Sequence, residues 1–211
     1  MDRVRKSVLV IAVVSLAVHL IVTALVSHTF DSEYWLIIMQ NIENGNGLYG
    51  LNGYYYTPVW GYILSFGDAL IHALNAFPLF GDRFTDLVMI EQYWGYQATL
   101  AEPGLNFMIK LPLSLCDVAV GYLIFKFVYR FTSDDRKALL AMALWSFCPI
   151  VIYMSAVQGQ FDSMGIMIFL LCIIAVRYGK SLSAGILFAL TVWLKIFPGI
   201  CILPLVAYVW A

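Results

Sequence analysis

Apolar residues come in long unbroken stretches along this chain, not in the alternation of a half-buried strand. Windows at 7–27, 57–77, 105–128, 138–157, 161–177 and 182–199 each approach the roughly 20 residues a helix needs to cross a bilayer. A further apolar run opens near residue 200 and is cut at Ala211, so the pattern predicts six spans and part of a seventh, in a segment of a longer polypeptide. Each span must be helical, because backbone amides in lipid have no water to bond. Pro112, Gly121, Pro149 and Pro198 fall inside these windows and are expected to kink helices, not end them. Two connections are long, 28–56 and 78–104. The links "RFTSDDRK", "VQGQFDS" and "RYGKSLS" are short. Loops longer than about 12–15 residues tend to carry function.

Composition strengthens the membrane reading. The chain is 62% hydrophobic and 12% charged, whereas a soluble domain is about a quarter charged. So little charge cannot cover a water-exposed globule. The 12 Lys and Arg form no basic stripe, so nucleic acid is not a partner to expect. Cys116, Cys148, Cys172 and Cys201 lie in apolar runs without metal-like spacing and read as packing residues. The first apolar run is too long for a signal-peptide core and has no cleavage-site pattern after it. Arg3, Arg5 and Lys6 place the N-terminus in the cytoplasm by the positive-inside rule. Strict alternation of six spans then puts Arg130, Arg136 and Lys137 outside, against the same rule. The 78–104 segment would have to re-enter or cross to remove the conflict.

Polar residues at the ends of the apolar windows are the candidates for chemistry. In "HTFDSEYWLIIMQNIENGNGLYG" (28–50), Trp35, Ile38, Met39 and Ile42 recur at i, i+3, i+4 and i+7, which predicts a short amphipathic helix at the interface. Asp31 fits its N-cap, and Tyr34 and Trp35 fit an interfacial aromatic belt. Asp31 and Glu33 also suit a general base taking the proton of an attacking hydroxyl. "YYYTPVWGYIL" supplies Tyr55 and Tyr56 before Pro58, anchors for the membrane edge or platforms for a sugar face. Lys110, Asp117 and Lys195 are ionisable at membrane depth, where charge costs at least about 2.5–3.5 kcal/mol and function is the default reading. Asp117 also suits a structural partnership with a lysine or a polar helix. Lys110 and Lys195 can snorkel or hold a phosphate. Gln158, Gln160 and Asp162 make a polar knot between two spans, with Asp162 a helix cap or a sugar ligand.

Taken in order, the acid pair, "YYYTPVWGYIL", "KLPLSLCDVAVGYLIFKF", "ALWSFCPIVIYMSAVQGQFDS" and "WLKIFPGICILPL" resemble the multi-span glycosyltransferases of the GT-C fold. The likeness is to the catalytic subunit of glycosylphosphatidylinositol mannosyltransferase I and its prokaryotic relatives, over nearly the whole chain. The resemblance implies an all-α polytopic bundle with an interfacial helix in the first outer loop, residues 1–211 forming one transmembrane module. It implies an inverting transferase that moves a sugar, mannose above all, from a polyprenyl-phosphate donor to a lipid-linked or glycan hydroxyl. The site would face the extracytoplasmic or lumenal side. Asp31 and Glu33 match an Asp-x-Asp type motif, with Glu33 the departure, so Asp31 is the base implied. Lys110, Pro112 and Asp117 match a "K-x-P…D" helix. Asp162 and Ser163 match the polar turn, and Lys195, Phe197 and Pro198 match "K-x-[YF]-P". Donor phosphate and sugar would be held by Lys195, Lys110, Gln160, Asp162, Tyr55 and Tyr56. Cys148 stands where relatives have Asn before Pro149. No metal cofactor is implied; a divalent ion on Asp31 and Glu33 is the alternative. Two other readings use the same residues: a lipid-linked-sugar binder or flippase, and a non-catalytic partial module completed by a partner chain.

Overall fold

The computed structural model describes residues 2–26, 29–50, 54–75, 87–93, 96–101 and 103–210. Asp82, Arg83, Asp86 and Glu102 in the second long connection lie outside the described residues. The chain is predominantly helical. Helices α1 (Asp2–Leu25), α2 (Thr29–Glu43) and α3 (Pro58–Asn75) precede a two-stranded hairpin, β1 (Leu87–Tyr93) with β2 (Tyr96–Ala101). Then come α4 (Pro103–Thr132), α5 (Asp135–Ser146), the short α6 (Pro149–Ile152) running into a π-helical turn (Tyr153–Val157), α7 (Asp162–Arg177) and α8 (Ser181–Leu194). A 3-10 turn (Phe197–Cys201) leads into α9 (Ile202–Trp210).

Among the described residues two helices are long and apolar enough to cross a membrane, Arg3–Leu25 and Asn106–Thr132. The pair Asp135–Ser146 and Pro149–Val157 passes together as a third, bent by 41°. The six-span expectation is therefore met at full length only by α1 and α4. The window at 57–77 forms α3, and α7 and α8 are shorter, at 16 and 14 residues. The 78–104 connection departs from the all-α expectation: it holds the antiparallel hairpin, pairing Leu87 with Ala101 and Tyr93 with Tyr96, with a bulge between Met89 and Glu91.

Proline and glycine act differently from the expected kinks. Pro112 lies inside α4 without ending it, but α5 stops before Pro149, which takes the first position of α6. There its fixed φ and missing N–H cost nothing. Likewise α8 ends at Leu194, and Lys195 is extended (φ −152°, ψ 128°) ahead of the turn containing Pro198. Gly121 serves close packing: a Cβ there would lie 2.8 Å from Ser146 Oγ on α5.

Helix α4 is the axis of the molecule, packing on α1, α5 and α7. One end of it is apolar and rimmed by basic residues. Val4 and Val8 of α1 and Ala138 and Met142 of α5 close around Phe125, and Arg177 lies over Phe131 at 5.2 Å. At the opposite end side chains of α2 and α3 share a core with α4. Trp35, Leu36, Ile38 and Met39 meet Trp60 and Leu64, with Ile109, Leu113, Cys116, Phe161 and Leu194 completing one core. The i, i+3, i+4 stripe of α2 is thus real, but it packs on protein where a lipid-facing surface was expected. All four cysteines are free, with Cys116 and Cys172 buried, as packing residues would be.

Candidate active site

The last turn of α1 leaves carbonyls with no partner of their own. Side chains from α4 supply one: Asn106 Nδ2 donates to the Thr23 carbonyl, and Lys110 Nζ donates to the Val26 carbonyl at 3.3 Å. Lys110 also donates to the Val157 carbonyl at 2.8 Å, where the π-helical turn ends. Its side chain is fully buried, so the ammonium ties two helix ends together in place of snorkelling to an interface. The Asp31 carboxylate is near enough to act on that ammonium electrostatically.

From Val157 the chain turns through Gly159, whose φ of +74° is open to glycine at little cost. Trp35 Nε1 donates to the Gly159 carbonyl at 3.0 Å. That bond aims the next residues: Gln160 Nε2 donates to Asp31 Oδ1 at 2.9 Å. Two residues on, Asp162 Oδ1 accepts from the Lys195 ammonium, which also stands 5.7 Å from the Phe161 ring centre. Asp31 and Lys195 are therefore linked through one three-residue stretch, Gln160-Phe161-Asp162. Neither aspartate is a cap as expected. Asp31 lies inside the first turn of α2, and Phe161 holds the cap position of α7 with no side-chain bond, leaving Asp162 to Lys195. Both carboxylates lie near helix N-termini, which favour negative charge.

An aromatic floor supports this stretch. Phe161 stacks on Trp60 at 4.9 Å and meets Tyr56 edge-on at 5.3 Å. Trp35 lies 5.5 Å from Tyr56 and 5.6 Å from Trp60. Such pairs contribute about 0.5–1.5 kcal/mol each beyond their buried area. Tyr56 belongs to this floor, whereas Tyr55 is 89% exposed. Burial pushes the phenols of Tyr34 and Tyr54 up from their ordinary range, with neighbouring tyrosines adding to it, so both stay neutral near pH 7. Glu33 belongs to α2, but its side chain lies outside the described residues. Of the two partners expected for Asp117, a lysine or a polar helix, the structure shows the second: His19 Nε2 of α1 lies 3.3 Å from Asp117 Oδ2, both side chains fully buried.

The structure brings Asp31, Gln160, Asp162 and Lys195 together; sequence reasoning had named these four but not what holds them. Trp35 was expected as an anchor, and Gly159, Phe161 and Asn106 were not singled out. A glycine between two glutamines was the available signal for the turn. A second missed group joins Glu43 at the end of α2 to α3, with His72 Nε2 3.0 Å from Glu43 Oε1 and 3.8 Å from Asp68 Oδ1. Its donor types suit a divalent cation as well as an ion triad. No protein-family model, curated protein or solved structure matches the chain.

Proposed function

We propose that this chain is a multi-pass membrane glycosyltransferase module, with Asp31 as general base and Lys195 as the cation for a polyprenyl-phosphate leaving group. The observation that carries the reading is the link Asp31–Gln160-Phe161-Asp162–Lys195, which joins a carboxylate and an ammonium from distant helices over an aromatic floor. The acceptor hydroxyl would attack the anomeric carbon as its proton passes to Asp31. The bond from that carbon to the phosphate oxygen breaks, and the charge left on phosphate is met by Lys195. Attack from the face opposite the leaving group inverts the centre. Lys195 and Asp162 are partly exposed, so the ammonium can exchange Asp162 for a phosphate oxygen without leaving a buried charge unpaired.

Charge distribution supports an extracytoplasmic site. Nine of the 12 Lys and Arg residues fall at the end of the bundle away from Asp31: Arg3, Arg5, Lys6, Lys126, Arg130, Arg136, Lys137, Arg177 and Lys180. In our reading α1, α4, the bent α5–α6 pair, α7 and α8 cross, while α3 lies with α2 on the outer side. The basic N-terminal segment and the two basic links, 130–137 and 177–183, are then all cytoplasmic, and the parity conflict in the sequence disappears. Helices α7 and α8, about 24 and 21 Å long, fall short of a 30 Å core, which local thinning and snorkelling of Arg177 and Lys180 accommodate.

The test is Asp31→Asn in reconstituted membranes supplied with polyprenyl-phosphate mannose. Asn keeps the oxygen that Gln160 bonds but cannot take a proton. The expected outcome is an unchanged melting temperature with sugar transfer lowered by about 10²–10⁴-fold. Full transfer by the variant would sink the base assignment. A wild type that moves the donor lipid across the bilayer without forming a glycosidic bond would establish the flippase reading instead.

A further inference from the structure

A polar seam runs through the apolar bundle between α1 and α4. Ser15, His19 and Thr23 on α1 recur every fourth residue and face Ser114 and Asp117 on α4, all fully buried. Thr23 and Ser114 hydroxyls meet at 3.3 Å, and Ser15 Oγ donates to the Ser146 carbonyl of α5 at 3.3 Å. In the middle stands the His19–Asp117 pair.

The partners of His19 fix its proton count. Nδ1 lies 2.8 Å from the Ser15 carbonyl oxygen, which can only accept, so Nδ1 carries hydrogen. Nε2 faces Asp117 Oδ2 at 3.3 Å. A neutral imidazole protonated at Nδ1 would aim its Nε2 lone pair at an ionised carboxylate, leaving a net negative charge in a fully buried site. Such an uncompensated charge costs several kcal/mol. One further proton between Nε2 and Oδ2 removes both the lone-pair repulsion and the net charge. Neither atom completes a hydrogen bond, and Asp117 Oδ1 and Ser146 Oγ are likewise buried without a partner among the described residues. Buried polar atoms are normally paired, so this cluster calls for an explanation.

We infer that His19 and Asp117 form a buried proton-binding site that latches α1 to α4. The pair carries one proton at neutral pH and, by fixing the register of the two helices, positions the α1 carbonyls that Asn106 and Lys110 engage. Asp117 is the charged side chain acting on His19. Cys116 adjoins Asp117 on α4, and Lys110 stands two turns away on the same helix. From α5 come Trp145, which donates to the Asp117 carbonyl, and Ser146, whose carbonyl accepts from Ser15, neither of which titrates near neutrality. The site is independent of the transferase reading.

The test uses the whole chain in lipid nanodiscs, with His28 and His72 changed to Gln so that His19 alone reports. With ¹⁵N-histidine and ¹³C-aspartate labels at pH 7, either a protonated Nε2 beside an ionised Asp117 or a protonated Asp117 carboxyl is expected. An unprotonated Nε2 with an ionised Asp117 would overturn the proposal. Stability gives a second reading. Asp117→Asn supplies an amide hydrogen to Nε2 in place of that proton and should fold. His19→Ala should lower the melting temperature sharply, or abolish folding, with recovery in His19→Ala/Asp117→Ala. A double variant no more stable than His19→Ala would also overturn the latch.

Discussion

Gly159 lies in the candidate site between Trp35 and Lys110. A Cβ there would sit 3.5 Å from Lys110 Cε and from the Trp35 ring, which is ordinary contact, so space does not demand glycine. The φ of +74° does. Gly159→Ala should cost about 1–2 kcal/mol from the left-handed backbone alone, read as a lower melting temperature in detergent. If Gln160 loses its aim with it, sugar transfer falls further than stability. A melting temperature equal to wild type would show that the turn has an alternative backbone path. Asp31, Gln160 and Lys195 were legible as polar residues stranded in apolar sequence. Trp35 was not legible as the hub, because a tryptophan on the apolar face of a short helix looks the same whether it meets lipid headgroups or a carbonyl 124 residues away.

At the scale of elements, the contact between α4 and α5 depends on an absent side chain. Gly121 lets α5 approach until Ser146 Oγ would stand 2.8 Å from any added Cβ, with Trp145 and Met142 next. Gly121→Ala should therefore destabilise by about 1–3 kcal/mol through overpacking. Ser146→Ala should be close to neutral, since its hydroxyl is buried without a partner and removing it removes an unmet desolvation cost. The double variant should recover most of the loss. Additive effects in chemical denaturation would mean that the clash is with the α5 backbone, not the hydroxyl. Apolar periodicity located these helices well. It could not say that α5 stops before Pro149 or α8 before Pro198, because a proline inside an apolar run starts a new helix or bends an old one depending on what receives the freed carbonyls. Near Pro149 the following π-helical turn ends on a carbonyl taken by Lys110. Pro112, by contrast, stays within α4.

For the whole molecule the decisive question is which helices cross. With α3 on the outer side, Lys137 and Lys180 face the cytoplasm and Asn44 faces outward. In a background with the four cysteines changed to Ala, Asn44→Cys should label with a membrane-impermeant thiol reagent in intact cells. Lys137→Cys and Lys180→Cys should label only after the membrane is opened. Labelling of Lys137→Cys from outside would mean that α3 crosses, and the proposed site would no longer sit on one face.

What the sequence by itself determined is that its apolar stretches suit a membrane and would have to be helical there. Both follow from charge too sparse to cover a soluble globule and from backbone groups that lipid leaves unbonded. It also singled out the polar residues that such an environment would expel unless they had partners. Only the tertiary structure decided who those partners are: Val26 and Val157 carbonyls for Lys110, Gln160 for Asp31, Asp162 for Lys195, and His19 for Asp117. The reason is physical. A buried polar group must be paired, but pairing is settled by which helix faces meet, and helices in a bundle choose neighbours by packing of side chains far apart in the chain.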